Sequence, residues 1–67
     1  MPILNIGLIE GRTPEQKEAL IKEVTEACVR ALDVAPDTVR IILQDIATQD
    51  FGVAGESVKT KRERLAK

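Results

Sequence analysis

With one cysteine and no histidine in 67 residues, the chain can close neither a disulfide nor a histidine-based metal site, the two staples on which small domains most often rely. A chain of this length buries only about 60% of the surface its unfolded form exposes, so its own core is marginal and a homo-oligomer is the remaining route to stability. Phe51 is the only aromatic residue. The ring platform on which single-stranded nucleic acid stacks is therefore missing, and no nucleic-acid partner is expected. No stretch is apolar enough to span a bilayer, and the start lacks the basic and apolar regions of a signal peptide. A cytoplasmic protein with no membrane partner is expected. The net charge of −1 hides a segregation: Lys59, Lys61, Arg62, Arg64 and Lys67 against Glu63 make residues 59–67 basic and the remainder acidic. Such a run reads as a solvated tail, or as a contact for a phosphate or a partner.

The periodicities predict a small α/β (α+β) unit occupying residues 1–67 as a single domain. Leu4, Ile6 and Leu8 share one face of residues 3–9, and Ile3 and Ile9 add apolar groups to the other, the pattern of a strand buried on both faces. Glu10-Gly11-Arg12 breaks the run. Thr13-Pro14-Glu15-Gln16 then supplies an N-cap, a proline at the first helical position and a capping-box glutamine. Leu20, Val24, Ala27, Cys28 and Ala31 recur at helical spacing, with Ile21 and Leu32 widening the stripe. Cys28 lies within it and reads as a small core residue rather than a nucleophile. The helix should end near Asp33, since Pro36 forbids continuation, and a second strand should run from Val39 to Ile46. A strand, a helix and a strand in this order form a right-handed crossover with parallel strands. Two strands cannot stand alone, so the sheet should grow by oligomerisation. The glycines at 52 and 55, among Phe51, Val53 and Val58, indicate a turn with a short hairpin or extended arm.

The chemical inventory is narrow. Without histidine or tyrosine, the commonest general base and the phenolic acid are both absent, and Gly52-Val53-Ala54-Gly55 lacks the spacing and lysine of a phosphate loop. Amines, carboxylates and arginines remain. An initiator methionine followed by proline is normally trimmed, which would leave Pro2 with a free secondary amine at the start of a strand. A reference α-amino group titrates at about 7.7 to 8.0 and a secondary amine is more basic, so in water Pro2 would be mostly protonated. Burial and nearby cations lower that value. Taken alone, Pro2 reads more readily as a residue that merely begins a strand, where its missing N–H falls outside the ladder. Arg12 reads as a loop residue and Arg40 as a solvated strand position. Together they make an anion site, because the guanidinium fork matches a carboxylate and cannot lose its charge. Geometry adds a constraint: along a strand Arg12 lies on the order of 30 Å from Pro2. Arg40 can stay near Pro2, but Arg12 must reach the site from another subunit.

Pro2-Ile3, Glu10-Gly11-Arg12-Thr13 followed by Glu15-Gln16-Lys17, Arg40, and Phe51-Gly52 before Gly55-Glu56 together resemble the 4-oxalocrotonate tautomerase family over nearly the whole chain. The resemblance implies a β-α-β subunit, a hexamer built as a trimer of dimers, and no cofactor or metal. It also implies that Pro2 carries a proton between positions of a dienol, and that Arg12 and Arg40 hold the ends of a dicarboxylate or 2-oxo acid. Arg40 would further polarise the 2-oxo group, and Phe51 would form an apolar wall. The reaction implied is conversion of 2-hydroxymuconate to its 2-oxo enoate isomers, a step of aromatic catabolism. Asn5, Gly7 and the basic end after Val58 depart from the family's form. Two other readings stay open. One keeps the fold and the amine for hydration, dehalogenation or decarboxylation of small unsaturated acids, with Glu10, Asp45 or Glu56 activating water. The other is a non-catalytic oligomeric binding module.

Overall fold

The computed structural model describes residues 1–66; Lys67, counted above in the basic end, lies outside the described residues. Strand β1 spans Ile3–Ile9, helix α1 Pro14–Leu32, strand β2 Arg40–Ile46, strands β3 and β4 Gly52–Val53 and Glu56–Ser57, and helix α2 Val58–Leu65. β1 and β2 pair in parallel, from Ile3 opposite Arg40 to Ile9 opposite Ile46, the arrangement that the crossover requires. The capping box at Thr13 is complete: its hydroxyl accepts the Gln16 N–H at 3.1 Å, and its own N–H donates to Gln16 Oε1 at 3.0 Å. At the other end Asp33 takes the left-handed conformation, φ 53°, and donates its N–H to Val29. β2 begins one residue later than the periodicity predicts, because Val39 closes a 3₁₀ turn over Pro36–Thr38 and donates its N–H to Pro36.

Lys17 of α1 bonds Asp45 of β2 at 2.8 Å, which identifies the sheet face that the helix covers. By the two-residue period of a strand, Ile41, Leu43 and their register partners Leu4 and Ile6 point the same way, and all four are half-buried. On the opposite face Ile3 is 62% and Ile42 53% exposed. Burial on both faces of β1 is thus not met within one chain. The helix stripe is also shifted: Thr25 and Val29 join Leu20, Ile21, Val24 and Cys28 as half-buried, whereas Ala27, Ala31 and Leu32 stay exposed. Two strands are too narrow a platform to cover the wider stripe. No described residue is buried, and the radius of gyration is 15.7 Å, against about 11 Å for a compact domain of this length. A single copy presents its apolar faces outward.

After β2, β3 and β4 pair antiparallel through Ala54 and Gly55, both at positive φ (54° and 88°), as a two-residue hairpin turn demands. The chain then departs from the expected solvated tail. Ser57 caps a helix by accepting the Thr60 N–H at 3.1 Å, and Arg64 bonds Glu56 at 2.7 Å. Lys59, Lys61, Arg62 and Arg64 therefore stand, still exposed, on a capped helix. No helix among the described residues is long and apolar enough to cross a membrane.

Candidate active site

The ladder register decides which of the marked residues can meet. Pro2 immediately precedes β1, and its carbonyl accepts the Arg40 N–H at 2.9 Å. The crossover through α1 thus returns β2 beside the start of β1 and sets Arg40 next to Pro2. An acylated proline has no N–H, and at the very start of the strand its absence leaves the ladder intact while the Pro2 carbonyl still accepts. Pro2 is half-buried. The Arg40 guanidinium donates to the Asp37 carbonyl in the 3₁₀ turn that precedes the strand. One of five N–H donors anchors the head, and the rest of the fork can take an anion.

Arg12 and Phe51 lie elsewhere. β1 spans about 20 Å, and Arg12 follows its far end, exposed between Gly11, at φ 117°, and the capped start of α1. A side chain at Gly11 would strain this turn. Beyond the ladder the two outgoing segments are tied together: Glu10 N–H donates to the Ile46 carbonyl at 2.9 Å, and Thr48 N–H to Glu10 Oε1 at 3.4 Å. Phe51 follows Thr48 by three residues, is 39% exposed, and accepts the Val58 N–H on its carbonyl at 2.8 Å. Phe51 therefore belongs to the Arg12 end. The structure joins Pro2 with Arg40 and does not bring Arg12 or Phe51 to them within one chain. A hollow between α1 and the 36–38 turn, lined by Lys22, Glu26, Val29, Arg30 and Pro36 among others, contains none of the four.

Val53, 47% exposed, extends the apolar surface begun by Phe51; the Phe-Gly-Val spacing, visible in the sequence, puts both on one face of an extended segment. The three carboxylates considered as water activators are each engaged. Glu10 accepts from Thr48, Asp45 from Lys17 and Glu56 from Arg64. The hydrogen bond and the charge of Glu56 together hold the Arg64 guanidinium above its ordinary pKa, against a small opposing effect of desolvation.

The tautomerase enzyme family model matches residues 2–61. A 2-hydroxymuconate tautomerase of Stutzerimonas stutzeri is 49% identical over 59 residues, covering 88% of this chain and 94% of the relative. A structure from a characterisation of the 4-oxalocrotonate tautomerase isozymes of Methylibium petroleiphilum superposes with a TM-score of 0.91 at 43% identity, covering 94% of this chain and 98% of the other. A heterohexameric 4-oxalocrotonate tautomerase from Chloroflexus aurantiacus superposes at 0.84 with 36% identity, covering 88% and 95%. The chain belongs to the tautomerase family, whose members are isomerases. The β-α-β fold with parallel strands and a short C-terminal hairpin is the fold of these relatives.

Proposed function

We propose that the protein is a tautomerase of 2-hydroxymuconate-type dienols, with Pro2 as base once Met1 is removed and with each site completed by a second copy. The observation that carries this reading is the backbone hydrogen bond from the Arg40 N–H to the Pro2 carbonyl, which brings the two residues to the same end of the ladder on adjacent strands. The neutral Pro2 nitrogen takes the 2-hydroxyl proton, the O–H electron pair becomes the carbonyl π bond, and the double bonds shift along the chain. The prolinium returns the proton to a carbon of the dienolate. Arg40 faces the oxygen on which negative charge accumulates, where a fixed cation stabilises the transition state more than the ground state.

Arg12 binds the distal carboxylate, and Phe51 keeps the pocket apolar, so that the amine stays neutral at working pH. Both come from a neighbouring copy lying antiparallel, in a homo-oligomer that we take to be a hexamer organised as a trimer of dimers. The exposed Ile3 and Ile42 face and the extended arm offer the surfaces for that assembly. The dienol proton shuttle needs no activated water, and Glu10, Asp45 and Glu56 are held by other partners, so we prefer it to hydration or dehalogenation. The 1–67 chain acts as one domain in this reading.

With Met1 removal confirmed by mass spectrometry, Pro2→Ala should lower ketonisation of 2-hydroxymuconate by about a thousandfold, in the range expected for loss of a general base, with the oligomer intact on size exclusion. Unchanged turnover would overturn the assignment.

A further inference from the structure

We propose that α2 is an electrostatic collector that draws small dicarboxylate dianions toward the site, a role that rests on the dienol reading above. Residues 1–57 contain ten acidic against five basic side chains, a net charge of −5 that repels a dianion at long range. The opposing charge is concentrated on α2, where Lys59, Lys61, Arg62 and Arg64 stand against Glu63 alone.

These four cations are not equivalent. Arg64 is pinned to Glu56 at 2.7 Å and holds α2 against the hairpin. Lys59, Lys61 and Arg62 are exposed and form no salt bridge among the described residues. The position of α2 gives this charge its purpose: Val58, its first residue, donates its N–H to the carbonyl of Phe51 at 2.8 Å, the residue that walls the proposed pocket. At about 1.5 Å of rise per residue, Arg62 begins only about 6 Å along the helix axis from Val58. That is within the Debye length of about 8 Å at physiological salt. A flexible basic tail would dilute the same charge over a large volume, whereas a capped and pinned helix keeps it beside one apolar rim. Charge so placed accelerates encounter and leaves the chemical step untouched, since the collected dianion passes on to Arg12 and Arg40.

The test compares kcat/KM and kcat for 2-hydroxymuconate, across ionic strength, in the full-length protein and in the variant Lys59→Gln/Lys61→Gln/Arg62→Gln. The expected result at low salt is a loss of about tenfold in kcat/KM, at the lower end of known steering effects, with kcat retained. The two proteins should converge at high salt. A monoanionic dienol should show a smaller difference, and the charge-preserving variant Lys59→Arg/Lys61→Arg/Arg62→Lys should behave like the unaltered protein. An active unaltered protein whose kcat/KM and salt slope match those of the glutamine variant would overturn the collector. So would a deficit that persists at high salt or for the charge-preserving variant, which would mark a structural role instead. If the unaltered protein fails to turn over the dienol, the underlying reading falls, and the collector falls with it.

Discussion

At one end of the β1–β2 ladder, Pro2 and Arg40 are joined by a backbone hydrogen bond inside the sheet. At the other, Arg12 and Phe51 sit on loops, each next to a residue that shapes the chain locally: Gly11 for the turn, Val58 for the anchoring of α2. The near end is fixed by ladder register, which a one-residue slip would disrupt for every side chain. The far end is set by turns and caps. The proposed function divides the labour along the same line: the groups it assigns to the reacting proton and the developing charge occupy the end fixed by register. The groups it assigns to gripping and desolvating the substrate occupy the end built from loops, supplied by a neighbouring copy.

Substitutions can break this division. Of the two arginine substitutions, Arg40→Ala should cause the larger loss, lowering kcat and kcat/KM together by about a hundredfold, as removal of a transition-state donor does. Arg12→Ala should raise KM with a much smaller change in kcat, because binding the remote carboxylate serves ground and transition states alike. Steady-state kinetics with 2-hydroxymuconate separates the two, and an identical pattern at both arginines would merge the two ends into one function. Phe51→Ala comes next. Admitting water favours the ammonium form of Pro2, so its pKa should rise and the acid limb of the kcat/KM profile should move about one unit to higher pH. A profile displaced only in height would deny Phe51 this role.

The smallest effect is expected from Arg64→Gln, since exposed ion pairs contribute little. The guanidinium's pKa is raised in the folded state. Whatever stability the pair adds is therefore present below the ordinary arginine value and is lost only at higher pH. Thermal melts of the variant and the unaltered protein should stay parallel from about pH 6 to 9, where both charges of the pair are present. A divergence that opens between pH 6 and 9 would contradict this.

Local chemistry made much of the rigid end readable in advance. The capping box at Thr13, the stop before Pro36 and the apolar runs of both strands imply a parallel crossover, in which Arg40 can stay near the Pro2 end. The far end was less legible because it depends on non-local ties. Nothing in the order of residues says that Glu10 will bond Thr48 or that Phe51 will hold Val58. α2 is hidden for a different reason: its charge run reads as a solvated tail, and Ser57 alone is a weak N-cap signal. The second face of β1, with Ile3 and Ile9, reads as buried because the sequence reports apolarity and not whether one chain can cover it.

The claim that one copy's near end meets another copy's far end is tested most directly by mixing two impaired proteins and assaying at substrate concentrations far below KM, where both variants are slow. Pro2→Ala and Arg12→Ala copies, carrying different tags, are co-expressed, and mixed oligomers are isolated through both tags. If each site takes its proline and its Arg12 from different copies of a symmetric oligomer, random mixing should restore about a quarter of the native sites. Activity no greater than that of the two variants assembled separately would contradict the account.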